Sequence, residues 1–242
     1  MSDLNIKELK IEKARNLNAC FDITLKRDGT LIYFIDGKLF SPRCERSERF
    51  KHILKILNAF NFPNCYGEMY IDKPNANVFD VSKKENWANA CFMPIDLIDS
   101  ENNPKIFKMN YEERQNLLTK LIQELNNPFI TKLIRFNNVN EGWDYVLKNN
   151  SEGLVLRNNY EWFKIKILKE AKIEIKNHEQ GSNKGTFILD NDNRISGTST
   201  QFVIQYLDIK ERGKKAIAEI EYAFITKGNK FFQPRLRLIR EE

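Results

Sequence analysis

The chain has 242 residues and a mass of 28.6 kDa, with 41% hydrophobic, 12% aromatic and 30% charged residues. That is enough apolar material for one large or two unequal domains with real cores, and it argues against a disordered chain. Lys+Arg 39 against Asp+Glu 33 gives a net charge of +6 and a pI near 9.0, a balance that favours a polyanionic partner.

Met1 to Arg15 carries charges throughout without the apolar segment of a leader, and no stretch approaches the ~20 apolar residues that a membrane span needs. A cytoplasmic protein without a membrane partner is expected. Cys20, Cys44, Cys65 and Cys91 never form a Cys-x-x-Cys pair, so neither a zinc site nor a disulfide framework is signalled, and reduced, mostly buried thiols are expected. Between Leu31 and Phe40 two β-prone runs flank Asp36-Gly37, the signature of a type I′ hairpin, which puts Lys26 just before a strand. After Pro42, the residues Phe50, Ile53, Leu54, Leu57 and Phe60 recur at helical spacing. Asn110 with Glu113 three residues later resembles a capping box, and Leu118, Leu121, Ile122 and Leu125 continue one apolar stripe. A short helix is expected from Glu141 to Leu147, and strand from Leu154 to Ile167. Beyond Leu168 short alternating segments, Lys172 to Lys176, Thr186 to Leu189 and Ile217 to Phe224, are separated by Gly181, Gly185, Gly197, Gly213 and Gly228. That suggests a small β-barrel, with a boundary near Leu168 to Lys172 and domains over residues 1–168 and 169–242.

Lys26-Arg27-Asp28-Gly29-Thr30 is the first segment with chemical content. A lysine nucleophile needs a neutral amine, which burial or a neighbouring cation favours, and the glycine lets backbone approach a phosphate. Alone, such a segment is more often a solvated turn. Downstream, in order, come Ser41-Pro42-Arg43, Tyr66-Gly67-Glu68-Met69-Tyr70, Phe92-Met93-Pro94-Ile95-Asp96-Leu97, Ser151-Glu152-Gly153-Leu154-Val155-Leu156-Arg157 and Trp162-Phe163-Lys164-Ile165-Lys166. Taken singly, Glu68 and Glu152 read as turn carboxylates, Lys164 and Lys166 as the solvent face of a strand, Asp96 as a support of the fold, and His52 and His178 as surface or satisfied core residues.

As an ordered set over about residues 20 to 242, these segments closely resemble the nucleotidyltransferase motifs of the covalent superfamily that contains ATP-dependent DNA ligases, RNA ligases and mRNA capping enzymes. The resemblance implies an α+β fold: an ATP-grasp-like nucleotidyltransferase (adenylation) domain with antiparallel sheets, then a small OB-fold β-barrel. It makes Lys26 the nucleophile that forms a phosphoramide with AMP, with Leu25 beside it in the nucleotide pocket. It gives Glu68 the ribose hydroxyls, Glu68 and Glu152 the metal, and Lys164 and Lys166 the phosphates. Arg43 grips ribose or the nick phosphate. Ile95 stands before Asp96, where the family usually stacks an aromatic on adenine, so Phe92 or a neighbour is expected to serve instead.

Glu170-Ala171-Lys172, His178, Gly181, Lys184, Gly185, Tyr222, Thr226, Gly228 and the run Pro234 to Glu242 are similar to the oligonucleotide-binding domain of small DNA ligases. In that resemblance Arg237 and Arg240 orient the ATP pyrophosphate when the domains close. Leu31 stands where many DNA ligases have an arginine, and the given sequence ends at Glu242, before the lysine that often closes the last motif. The implied protein is a monomeric ATP- and Mg²⁺-dependent DNA ligase of replication or repair, acting on nicked duplex DNA that can contain RNA. An RNA ligase, a capping guanylyltransferase and a weak nick-binding protein stay open as alternatives.

Overall fold

The computed structural model describes residues 22–73, 76–98, 106–157, 162–180, 185–226 and 228–242, which divide at residues 166 and 167 into two compact units. Met1 to Arg15, Cys20, Gly181 and Lys184 lie outside the described residues.

Two four-stranded antiparallel sheets make up the first unit. One has the order β6 (Arg135–Phe136), β1 (Asp22–Lys26), β7 (Gly153–Arg157), β8 (Trp162–Lys166); the other has the order β3 (Lys38–Phe40), β2 (Thr30–Ile35), β4 (Cys65–Ile71), β5 (Ala90–Leu97). The chain passes from the first sheet to the second through Arg27 to Gly29, so the residues just after Lys26 lie at the junction. The β2–β3 hairpin turns at Asp36 (φ 47°) and Gly37 (φ 76°), the paired positive angles of a type I′ turn.

Each sheet has one face covered by helices. Helix α1 (Lys51–Ala59) buries Ile53 and Leu57, α2 (Val78–Ser82) buries Val81, and α3 (Tyr111–Leu125) buries Leu118 and Ile122. All of these pack with Ile32, Phe34, Met69 and Phe92 in the core behind the second sheet. The start of α3 is fixed by a reciprocal cap: Glu113 N–H donates to Asn110 Oδ1 (3.0 Å), and Asn110 N–H donates to Glu113 Oε2 (2.8 Å). Asn126 in the left-handed region ends it. Helix α4 (Val139–Lys148) buries Val139, Trp143 and Val146 and packs on β1 and β7, where Ile23, Leu25, Leu154 and Leu156 are buried. The two remaining sheet faces carry the polar residues described below.

The second unit is an antiparallel sheet in the order β11 (Arg194–Thr198), β10 (Gly185–Leu189), β9 (Lys169–Gln180), β12 (Ala216–Tyr222), β15 (Arg235–Glu241). It curls into a half-barrel whose edge strands β11 and β15 approach without pairing. Helix α5 (Thr200–Glu211) buries Tyr206 and Ile209 against Phe187 and Ile195, and the small hairpin β13 (Phe224–Ile225)–β14 (Phe231–Phe232) lies beside β12. Strand readings alone miss α5, although Phe202, Val203, Tyr206 and Ile209 have helical spacing.

Candidate active site

Alternation along the first sheet decides which side chains meet. Register aligns three rows across β1, β7 and β8: Lys26–Gly153–Lys166, Thr24–Val155–Lys164 and Asp22–Arg157–Trp162. Their side chains rise from the face opposite α4. Glu152, one residue before β7, reaches back over the first row, where its carboxylate bonds Lys26 Nζ and accepts from Lys166 Nζ at 2.7 Å. It is thus shared between two lysines 140 positions apart, as Lys26 and Lys166 are in the numbering. Gly153 makes this approach possible: its φ is 153°, and a Cβ there would sit 1.9 Å from Ile165 O.

Glu68 comes from the second sheet. It stands opposite Leu31 on β2 and Met93 on β5, and shares a face with Tyr66 and Tyr70. Gly29 packs directly on it, since a Cβ at that position would lie 2.9 Å from Glu68 Cγ and 2.3 Å from Met69 O, and the Gly29 N–H donates to the Glu68 carboxylate. Burial pushes the Glu68 carboxyl up to about 7, Glu152 and Asp28 adding to the rise and Lys26 opposing it. Asp28 joins the group. Burial, then repulsion from Glu152, pushes its carboxyl up to about 6, with Lys26 and Lys166 opposing.

The site therefore gathers Lys26, Asp28, Glu68, Glu152 and Lys166, three carboxylates against two ammonium groups. Burial is the larger cause of the raised carboxyls and repulsion among the carboxylates the smaller one, and a hard divalent cation relieves both. Among the described residues no three acidic, histidine or cysteine side chains lie close enough to enclose a metal unaided. Such a set suits an ion like Mg²⁺ that keeps water and phosphate oxygens in its shell. Sequence reasoning passed over Asp28 as a site residue although it stands inside the Lys-x-Asp-Gly segment.

Other expected residues fall elsewhere. Lys164 rises from the same face of β8 as Lys166, but it is exposed and lies over the Trp162 ring at 5.2 Å. Arg43 is exposed on the turn after β3. Two expectations are corrected. Phe92 pairs with Met69 rather than Glu68, faces the helices, and is fully buried in the core, so its ring offers no surface to a base; Met93 occupies the corresponding position on the Glu68 face. Leu25 likewise points away from Lys26 toward the α4 side, is 2% exposed, and donates its N–H to Ile134 O (2.9 Å). In the second unit Arg237 pairs with Glu221 (3.6 Å) and Arg240 with Glu219 (3.1 Å).

Asp96 has a supporting position. A bulge between Tyr66 and Gly67 brings it opposite Tyr66, where Arg114 grips both of its carboxylate oxygens at 2.9 Å. Gln115 donates to Ile95 O (2.8 Å) and accepts from Arg135 (2.6 Å), whose Nε reaches Asp22 at 3.2 Å. Helix α3 thereby ties β5 of one sheet to β1 of the other. Of the cysteines, Cys65 and Cys91 are buried and Cys44 is exposed. His52 is held by Ala90 O (2.9 Å), and His178 packs on Phe187 and Tyr206, which removes both from the site. No helix among the described residues is long and apolar enough to cross a membrane.

No family model and no curated protein matches the sequence. Among solved structures the chain is similar to a Lig E DNA ligase described as binding DNA with a minimal scaffold, at a TM-score of 0.64 and 16% identity over 92% of this chain and 93% of the other. It is similar to Pmar-Lig_PreS3 at a TM-score of 0.66 and 17% identity over 99% and 72%. A mycobacterial DNA ligase D complexed with ATP gives 0.51 and 14% over 92% and 89%. At these identities the likeness is one of fold, and the fold is that of the DNA ligases.

Proposed function

We propose that the protein is an ATP-dependent DNA ligase that forms a lysyl-AMP intermediate at Lys26 and seals breaks between a 5′-phosphate and a 3′-hydroxyl in duplex DNA. The observation that carries this reading is the shared carboxylate of Glu152, which holds Lys26 and Lys166 together beside the partly buried carboxyls of Asp28 and Glu68, at corresponding places in the motif order of a ligase fold. Lys26 is held at the junction of two sheets, 16% exposed, on the face that no helix among the described residues covers.

In the first step the Lys26 amine attacks the α-phosphorus of ATP. A P–N bond forms, the bond to pyrophosphate breaks, and Glu152 takes the amine proton. The 5′-phosphate then attacks the same phosphorus, forming a phosphoanhydride and returning Lys26. Last, the 3′-hydroxyl attacks the 5′-phosphate and AMP leaves. Lys166 faces the phosphates throughout, with Lys164 two residues away on the same strand face, and Glu68 is placed to bind the ribose hydroxyls. Glu68 and Glu152 are the residues that would hold Mg²⁺, which when bound would supply neutralisation of charge on the phosphates. The curled second unit, residues 169–242 in the domain division read from sequence, fits an OB-type barrel that binds nucleic acid.

Incubation with α-labelled ATP and Mg²⁺, followed by a chase with nicked duplex DNA, tests this. Label is expected on the protein first and on the 5′-phosphate next. Labelling by GTP alone would move the protein to the capping class, and faster joining of single-stranded RNA would move it to the RNA ligases.

A further inference from the structure

The turn joining β3 to α1 and the start of α1 gather more cations than carboxylates. Residues 43–55 carry Arg43, Arg46, Arg49, Lys51 and Lys55 against Glu45 and Glu48, so this stretch holds half of the chain's net charge of +6. Lysines take both carboxylates: Glu45 pairs with Lys38 (4.0 Å) and Glu48 with Lys51 (2.6 Å). Arg46 and Arg49 are left without a carboxylate at ion-pair distance among the described residues, although both are half-buried.

The two guanidinium groups are nonetheless held. Arg49 N–H donates to Arg46 O (3.0 Å), which closes the turn and sets the side chains three residues apart. Arg46 Nε donates to Ser41 Oγ at 3.3 Å. The Arg49 guanidinium lies 4.6 Å from the centre of the Trp87 ring, a stack that fixes its plane. Burial lowers Arg49's hold on its proton, and Arg46 lowers it further, so the two charges repel each other. Fixed, adjacent guanidinium groups without a carboxylate partner among the described residues present the donors that a phosphate accepts from. Neither arginine is among the groups that perturb Asp28 or Glu68.

We infer that Arg46 and Arg49, braced by Ser41 and Trp87, form a binding site for a backbone phosphate of duplex nucleic acid, separate from the Lys26 cluster. The inference rests on the nucleic-acid reading above and adds a positioning contact to it. A phosphate there bridges both arginines, eases their mutual repulsion and sets the duplex in register on the unit that carries Lys26.

The test measures the affinity of the full-length protein for a fluorescent nicked duplex between 50 and 200 mM salt. Compared are the wild type, R46Q/R49Q, R46K/R49K, and K120A/K148A, which removes the same charge from exposed positions on α3 and α4. Losing one neutralised phosphate lowers the slope of log affinity against log salt by about 1, so the loss of affinity over this fourfold range shrinks by roughly three- to fourfold in R46Q/R49Q. R46K/R49K should keep most of the slope while binding more weakly, because charge is retained and the planar fork is lost. K120A/K148A should stay near the wild-type slope. A wild-type slope in R46Q/R49Q, with melting unchanged, overturns the site, as does an equal effect in K120A/K148A, which would make it a matter of net charge. If the wild type adenylates and seals nicks but R46Q/R49Q binds normally, the site falls and the ligase reading stands. If the wild type seals nothing and binds no duplex, both fall.

Discussion

Strands β8 and β15 look alike as sequence, each placing basic residues at short spacing on an amphipathic strand, yet their surroundings differ. On β8, Lys166 shares Glu152 with Lys26 in a pocket where carboxylates outnumber ammonium groups and two carboxyls are pushed up to about 6 and about 7. On β15, Arg237 and Arg240 are half exposed and each has its own glutamate, with Glu219 also reached by Lys172 at 3.5 Å. A half-exposed basic residue whose carboxylate partner lies on a neighbouring strand of the same sheet is already satisfied. What marks a site for chemistry is convergence from distant strands, partial burial and an unbalanced charge.

The largest way to break this contrast is Lys26→Ala. Labelling by ATP should vanish, while a nick already carrying AMP on its 5′-phosphate should still be joined at a reduced rate, because Glu152 and Lys166 remain. Loss of both reactions together would show that Lys26 does more than carry AMP. Glu152→Gln comes next. If this carboxylate takes the amine proton, the adenylation rate measured in a single turnover should fall by about 10²-fold or more, the usual worth of a positioned base. A change of less than threefold would reduce Glu152 to an ornament of the pocket.

The raised carboxyls make a prediction about stability. Glu68 moves from 4.5 to about 7 and Asp28 from 3.8 to about 6, so between those values the folded state keeps protons that the unfolded chain has released. Stability of the nucleotide-free protein must then fall as pH rises from about 4 to about 7. Glu68→Gln should flatten that part of the melting profile, and a profile of unchanged steepness would mean that the charge is compensated in another way. On the other side of the contrast the effects should be small. Arg240→Ala, which leaves Lys172 beside Glu219, should cost less than about 1 kcal/mol. Arg237→Ala should cost more, because Glu221 is nearly buried. A tenfold loss of adenylation in either variant without a change in melting would restore a role for these arginines at the pyrophosphate.

Much of the frame was legible because it is locally encoded. Asp36-Gly37 dictates its turn, Asn110 and Glu113 dictate a helix start, and Glu141 to Leu147 lie within a helix capped by Asn138. Lys26, Glu68, Glu152 and Lys166 are singled out by their order along the chain, which no single spacing reveals. Phe92 was misread for a physical reason: all eight residues of β5 are buried, so alternation leaves no trace in the sequence, and the bulge opposite Tyr66 changes parity partway along the strand. Leu25 was misread by adjacency, since the neighbour of a site residue on a strand faces the other way. Asp28 was hidden by its resemblance to a turn residue, and only the fold shows Gly29 packing the loop against Glu68. Arg46 and Arg49 are unreadable as a pair because what sets them apart, the lack of a carboxylate at ion-pair distance among the described residues, shows only in the fold.

The role of Lys26 turns on which atom becomes covalently attached to the nucleotide. Incubating the protein with ATP and Mg²⁺, digesting it, and locating the added AMP by mass spectrometry answers that directly. The expected result is a single AMP on the peptide containing Lys26, absent when Lys26 is replaced by alanine. AMP on Lys166 or another residue, or no adduct in a protein that still seals nicks, would contradict the assignment of the nucleophile.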